Sequence, residues 1–200
     1  KSEILALLIV IIIPMSLLIP YYADKEIYPR ADSGHYTLHA LSLYQEYKVN
    51  GFTEAIMQNW QNPAAKFILH PLLLLVALIL LNGKVLLSIA VTMLLIYGIF
   101  LIYFFLFCRI YMNKVSATLL ALVVGMSPWM LRSASEPLSE LPFLMASIIA
   151  IYHFIKSNTW KNRTHTILAG IFLGLSVCFR PIEALGTLGP AFVVWSLYAL

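Results

Sequence analysis

Charge is what this sequence has least of. Only 11% of its 200 residues are Asp, Glu, Lys or Arg, against about a quarter in a soluble domain, and 61% are hydrophobic. Strand-like alternation of polar and apolar residues is also absent, which argues against a membrane barrel. The apolar runs are long and rich in Leu and Ile, which predicts membrane-spanning helices. The expected fold class is all-α, a polytopic transmembrane helix bundle in an integral membrane protein.

Several functional signatures are missing as well. The sequence has no phosphate-binding glycine loop, no long-period repeat and no basic stripe, so no nucleic-acid partner is expected. Cys108 and Cys178 fall near opposite ends of their expected spans, which argues against a disulfide between them. His35 and His39 lack a third ligand at metal-binding spacing, which favours interfacial histidines. No cofactor is firmly implied, and the sequence leaves a divalent metal open.

Six apolar runs resemble membrane spans. Most approach the roughly 20 residues that cross about 30 Å of hydrocarbon. They cover residues 4–20, 85–107, 115–131, 138–155, 166–179 and 185–200. A further apolar stretch, 67–81, has only ten uninterrupted apolar residues after His70-Pro71. That length predicts a re-entrant or interfacial segment in place of a span.

The basic residues indicate which side each loop occupies. If segment 67–81 does not cross the membrane, one face receives six basic residues and one acidic residue, namely Lys1, Arg109, Lys114, Lys156, Lys161, Arg163 and Glu3. If it does cross, the basic loops 109–114 and 156–163 fall outside, against the positive-inside rule. We therefore predict one long extracytoplasmic loop over 23–84, which places nearly every acidic residue on the outer face.

That loop carries a helical pattern of its own. From Asp32 onwards, one face of a helix collects the side chains of Tyr36, Ala40, Leu43, Tyr44 and Tyr47. The pattern predicts an interfacial helix over 33–49 that stops at Asn50-Gly51. Asp32 stands at its start, where a carboxylate caps the first free N–H groups. A capping aspartate can still act in catalysis, so the local pattern leaves both roles open.

The segment Asp32-Ser33-Gly34-His35-Tyr36 directly follows the first span. An acidic motif of the form D-(D/E/S)-x-x-Y at this position resembles the GT-C superfamily of polytopic glycosyltransferases, especially the protein O-mannosyltransferases and the aminoarabinose transferases that act on lipid A. Weaker matches follow in order at His70-Pro71, at Ser127-Pro128 through Ser135-Glu136-Pro137, and at Gly170 through Arg180-Pro181. Many relatives carry a second acidic residue where this chain has Ser33.

The resemblance covers nearly the whole chain and implies an enzyme. It would move a sugar from a polyprenyl-phosphate donor to a lipid, glycan or protein acceptor, at the extracytoplasmic or lumenal face of a bacterial inner membrane or the endoplasmic reticulum. Asp32 would be the general base, and a cation would stabilise the leaving phosphate. Arg180 is the first candidate for that cation, because its fork matches phosphate oxygens, with Arg132, Lys66 and Arg30 as rivals. The residues expected to line the acceptor site are His35, Tyr36, Glu136 and Glu140.

The resemblance also implies that these 200 residues are the N-terminal part of a longer transmembrane domain. Structural roles compete with the functional ones. Arg180 can snorkel to headgroups, and Glu136 and Glu140 can cap and solvate a helix start at Pro137.

A multi-pass transporter or lipid flippase is a second class of function, and a non-catalytic protein that binds a lipid carrier is a third. Charges crowded on one face, away from the bilayer midplane, favour the transferase over the transporter.

Overall fold

The computed structural model describes residues 2–23, 31–61, 69–158 and 160–199, with positions 23, 31, 32, 191, 195, 196, 198 and 199 described by their backbone alone. Every regular element in these ranges is an α-helix, which confirms the all-α fold class. The helices are α1 Ser2–Ser16, α2 Ile19–Ala23, α3 Ala31–Asn50, α4 Phe52–Gln61, α5 Leu69–Leu80, α6 Val85–Tyr111, α7 Lys114–Gly125, α8 Pro128–Ser135, α9 Glu140–Lys156, α10 Arg163–Phe179 and α11 Pro181–Ala199.

Helix α3 corresponds closely to the helix expected over 33–49. It ends at Asn50, and Gly51 follows with a φ of +93°, a left-handed conformation that glycine adopts without steric cost. Ala40 and Leu43 on the expected apolar face are buried, and Tyr44 and Tyr47 pack beside Leu43. The tyrosine and leucine spacing therefore predicted both the helix and the face that it buries.

Helix α5 occupies the ambiguous apolar stretch. Its 12 residues span about 18 Å at 1.5 Å per residue, which is short for a bilayer crossing. The helix packs against α3 and α6. Asn82 and Gly83, both with positive φ, then turn the chain into α6.

The expected third span, 115–131, is not one continuous helix. It is divided between α7 and α8, which meet at a bend of 61°. The Ser127 side chain accepts a hydrogen bond from the Met130 N–H, and Pro128 occupies the first position of α8. Proline has no N–H with which to continue the preceding helix, so the Ser-Pro pair starts a new one.

One helix, α6, is long and apolar enough to cross a membrane alone, within the described ranges. The α7 and α8 pair would supply a second crossing if the bent pair counted as one. Helices α1, α5 and α10 are apolar but shorter, as is the part of α11 over 181–194. Length and composition of the helices thus identify fewer crossings than the six expected from the sequence.

Helix α6 forms the centre of the molecule. Met93, Tyr97, Leu101 and Phe105 on this helix are almost fully buried, and α1, α5, α7 and α9 pack around it. The Tyr97 hydroxyl donates a hydrogen bond to the Gly125 carbonyl, which ties α6 to the end of α7. The packing therefore organises the surrounding helices around α6.

The helices bring basic loops to one end of the molecule and a cluster of carboxylates to the other. Glu3 at the start of α1 pairs with Arg109 at the end of α6. His153, near the end of α9, contacts Tyr103 of α6 and His165 at the start of α10. We call the end of the molecule that holds these contacts the basic end, since it carries Arg109, Lys114, Lys156 and Arg163. We call the opposite end, where Glu136, Glu140, Arg180 and Glu183 meet, the carboxylate end.

Candidate functional site

The first turns of α3 contact the turn between α8 and α9. The Ser33 hydroxyl donates to Glu136 Oε2 at 3.3 Å, and the Tyr36 hydroxyl lies 3.5 Å from Ser139 Oγ. Ser33 is fully buried, and the Glu136 side chain is only 14% exposed. Two side chains one turn apart on α3 thus fix its start against residues 136–139.

The turn itself follows from local sequence. The Glu136 N–H bonds to the Arg132 carbonyl and ends α8, and Pro137 prevents the helix from continuing. Helix α9 then begins at Glu140. This arrangement points Glu136 towards α3 and Glu140 towards the chain between α10 and α11.

His70 is the third contribution to this end. It is fully buried in the first turn of α5, and its Nε2 lies 3.0 Å from the Pro137 carbonyl oxygen. Its ring packs edge-on against Tyr36, with centroids 5.1 Å apart. Burial lowers the pKa of His70 to about 4, and the bond to Pro137 opposes that shift. The imidazole is therefore neutral at physiological pH.

Arg180 is the fourth contribution. It lies between α10 and α11, and its two terminal nitrogens reach Glu140 Oε1 at 3.0 Å and Glu183 Oε1 at 2.8 Å. The Arg180 side chain is 24% exposed. A guanidinium group that holds two carboxylates in a partly buried site forms charge-assisted hydrogen bonds, which are stronger than neutral ones.

The remaining candidates lie at the edge of this site or outside the described residues. Arg132 is 73% exposed and reaches Glu136 only at 3.7 Å. His35 is exposed beside the Tyr36 ring. The backbone of Asp32 lies in the first turn of α3, directly before Ser33. The Asp32 side chain, Arg30 and Lys66 lie outside what the structure describes, so their predicted roles stay predictions.

An apolar groove begins one turn from Glu140. It measures about 470 Å³ and lies between α6, α7, α8 and α9. Its walls include Phe100, Phe104, Trp129, Leu144, Ile148 and Ile151. Since Leu144 follows Glu140 by one helical turn, the groove extends from the carboxylate end along α9 towards the basic end.

Hydrogen-bonding capacity is left over at the carboxylate end. Within the described part of the chain, Glu140 Oε2 and His70 Nδ1 are buried and have no hydrogen-bond partner. No group of three His, Cys, Asp or Glu side chains in the described ranges is arranged to hold a metal. The carboxylate end therefore offers two buried hydrogen-bond acceptors, Glu140 Oε2 and His70 Nδ1, beside the ion pairs of Arg180.

Sequence reasoning did not assign roles to Ser33, His70, Ser139 or Glu183. His70-Pro71 stands out in the sequence only as part of a motif, because a single histidine ahead of an apolar run does not reveal its partner. Its contact with Pro137 joins residues 67 positions apart. The i, i+3 spacing from Arg180 was the one local signal that pointed to Glu183.

Comparisons of the chain with models of protein families, with curated proteins and with solved structures find no match.

Proposed function

We propose that this chain belongs to a multi-pass membrane glycosyltransferase, which transfers a sugar from a polyprenyl-phosphate donor to an acceptor at the extracytoplasmic face. One observation carries the proposal: the segments that resemble the GT-C motifs meet at a single end of the molecule. Ser33 and Tyr36 contact the 136–139 turn, His70 contacts Pro137, and Arg180 contacts Glu140. These segments are far apart in the sequence, so local interactions along the chain do not explain why they meet.

The distribution of charge supports a membrane orientation for this bundle. The loops around Arg109, Lys114, Lys156 and Arg163 lie at the basic end, and the acidic residues of the site lie at the carboxylate end. The positive-inside rule places the basic end in the cytoplasm and the carboxylate end outside. The short helix α5 packs against α3, which begins at the carboxylate end, and this packing agrees with a segment that does not cross.

The apolar groove suits a ligand with a lipid tail. A chain of isoprene or acyl units lying along Leu144, Ile148 and Ile151 would bring its polar head to Glu140 and Arg180. Burial of apolar surface contributes about 0.8 kcal/mol per CH₂ group. The groove would hold the carrier while the reaction takes place at the carboxylate end.

The proposed chemistry assigns three roles. Asp32 accepts the proton of the acceptor hydroxyl, an arginine stabilises the departing phosphate, and His35, Tyr36, Glu136 and Glu140 line the acceptor side. Both terminal nitrogens of Arg180 already contact carboxylates, so a phosphate would share or displace one of them. Arg132 is more exposed and makes only a long ion pair with Glu136, and Arg30 and Lys66 are further candidates. No step of this scheme depends on a metal.

A transfer assay tests the proposal. The full-length protein in nanodiscs is supplied with a panel of polyprenyl-phosphate sugars, and the wild type is compared with Asp32→Asn. We expect Asp32→Asn to bind the donor with unchanged affinity and to turn over about 100-fold more slowly, the effect expected for loss of a general base.

Glu54→Gln is the matched control. Glu54 is an exposed carboxylate on α4 of the same loop, so this variant should keep wild-type turnover. Equal turnover in Asp32→Asn and the wild type would leave Asp32 as a helix cap only. A wild type that moves no sugar from any donor in the panel would favour a transporter or a lipid-binding protein.

A further inference from the structure

His70 has a fixed tautomer. A carbonyl oxygen only accepts hydrogen bonds, so the 3.0 Å contact with Pro137 requires the proton of the neutral imidazole to be on Nε2. Nδ1 then carries a lone pair, and this atom is buried without a partner among the described residues. The side chain thus forms one directed hydrogen bond and leaves its second nitrogen unused.

Packing alone does not account for a histidine here. A phenylalanine would provide an aromatic ring without the penalty of removing a ring nitrogen from water. The imidazole supplies what phenylalanine lacks, an N–H that reaches the Pro137 carbonyl. The function of His70 should therefore depend on that hydrogen bond.

The bond closes a frame of three elements. The His70 ring packs edge-on against Tyr36 of α3, at an interplanar angle of 81°. Tyr36 in turn contacts Ser139, and Ser33 contacts Glu136. Through His70, α5 touches both α3 and the 136–139 turn. The ring therefore holds the start of α3 at a fixed distance from that turn.

We propose that His70 is a positioning residue of the carboxylate end: it sets the placement of the first turn of α3, which carries Asp32, relative to the 136–139 turn and Glu140. This inference rests on the proposed function where it concerns catalysis. It goes beyond that function by assigning a role to a buried side chain that touches neither donor nor acceptor in the scheme above.

Acid should release this frame. The elements around His70 carry several titratable or charged side chains in the described ranges. They are His35, Tyr36, His39, Tyr44, Glu46, Tyr47 and Lys48 on α3, Arg132, Glu136 and Glu140 around the turn, and Arg180 after α10. The pKa of His70 lies below the ordinary 6.5, so the unfolded chain takes up the proton first. The stability that depends on neutral His70 is complete above about pH 6.5 and is lost as the pH falls towards 4.

Two substitutions separate the hydrogen bond from the ring. His70→Gln keeps an N–H donor near the position of Nε2 and removes the ring, whereas His70→Phe keeps the ring and removes the donor. His39→Gln is the matched control, because it removes a histidine of α3 that makes no hydrogen bond to the turn within the described chain. Each variant is assayed for kcat and KM, and its Tm is measured at pH 7 and pH 5.

A distance measurement reports the frame without relying on catalysis. Spin labels are attached at Leu38→Cys on α3 and Trp129→Cys on α8, in a background with Cys108 and Cys178 replaced by serine. Leu38 and Trp129 are exposed. The distance distribution between the two labels is recorded for the wild-type background and for both His70 variants.

We expect His70→Phe to lower kcat about 10- to 100-fold with KM within about twofold of wild type, since small misplacements of a catalytic group have effects of this size. His70→Gln should recover most of that loss. The label distances should broaden in His70→Phe only. The loss of Tm between pH 7 and pH 5 should be smaller in both His70 variants than in wild type. His39→Gln should keep the wild-type kcat and should reduce the acid loss of Tm by less, because burial lowers the pKa of His39 by a smaller amount than that of His70.

The inference is overturned if His70→Phe keeps the wild-type label distances, or if His70→Gln is no more active than His70→Phe. A wild type that transfers no sugar would count against the proposed function alone. The label distances and the acid dependence of Tm would then still decide whether His70 positions α3.

Discussion

Arg180 organises the charge at the carboxylate end. It binds Glu140 and Glu183 through separate nitrogens, and all three side chains are partly shielded from water. The described residues near these three include a further carboxylate, Glu136, and a second arginine, the exposed Arg132. Loss of Arg180 would leave two carboxylates facing each other with no shielded cation.

Substitution of Arg180 by glutamine should therefore destabilise the fold. We expect Arg180→Gln to lower the free energy of unfolding by about 1–3 kcal/mol, the usual effect of leaving a shielded polar group unpaired. Glu140→Gln in the same background should restore part of this loss, because it removes the unpaired charge. Chemical denaturation of the purified protein in detergent measures both changes.

Arg132→Gln provides the comparison. Its guanidinium is 73% exposed and its ion pair is long, so its removal should change the free energy of unfolding by less than about 0.5 kcal/mol. Equal losses in the two arginine variants would mean that the contacts of Arg180 contribute no more than a surface ion pair.

At the scale of elements, two glycines end the helices that build the site. Gly51 follows α3 with a φ of +93°, and Gly83 follows α5 with a φ of +75°. A Cβ at Gly51 would meet nothing within 4 Å, whereas a Cβ at Gly83 would lie 3.0 Å from the Tyr44 ring. The two positions share a left-handed backbone conformation, which glycine adopts without strain, and differ in their surroundings.

This difference predicts unequal effects of alanine. Gly51→Ala should cost about 1–2 kcal/mol, the penalty of a left-handed conformation for a residue with a side chain. Gly83→Ala should cost more, because Tyr44 packs beside α5 in the same small core and must move. Thermal unfolding of the two variants in parallel tests the order. A larger loss of Tm in Gly51→Ala would contradict it.

The sequence predicted those elements whose signal is local. Helix α3 was found from the spacing of Tyr36, Leu43 and Tyr47 and from Asn50-Gly51, since its buried face and its end are both encoded within about 20 residues. The break between α7 and α8 was missed although Ser127-Pro128 marks it, because the apolar run continues across the pair. Apolar composition reports burial, and it does not report where a helix starts again.

The site was predictable only in part, for a related reason. The motifs contain Tyr36, Glu136 and Arg180, and Glu140 follows Glu136 by four positions. In the structure, Tyr36 contacts the 136–139 turn and Arg180 contacts Glu140. Their partners could not be read from the sequence, because the contacts of Ser33 and Tyr36 with the turn each span 103 positions. Such contacts depend on how whole helices pack, and no local pattern specifies that packing.

At the scale of the whole molecule, the separation of the two ends predicts a membrane topology. A single cysteine at Glu54 on α4 should react with a membrane-impermeant maleimide from the extracytoplasmic side. A single cysteine at Lys161, between α9 and α10, should react only after permeabilisation. Cys108 and Cys178 are replaced by serine in both variants, since the latter is an exposed free thiol.

The labelling pattern also tests whether α5 crosses the membrane. If α5 spanned the bilayer, Glu54 and Lys161 would lie on the same side, and both cysteines would react under the same condition. Opposite accessibility supports the single outer loop over 23–84. Equal accessibility would contradict it and would move the basic end to the outside.

The pairing of α1 has a consequence for the synthesis of the protein. Helix α1 packs against α6 and α7, and Glu3 meets a partner 106 residues further along the chain. At about 5–20 residues per second, the ribosome needs roughly 5–20 s to make that partner. In the proposed membrane topology, α1 spends this interval in the bilayer without its α6 and α7 neighbours. The Glu3–Arg109 pair of the basic end therefore forms only after α6 has been translated.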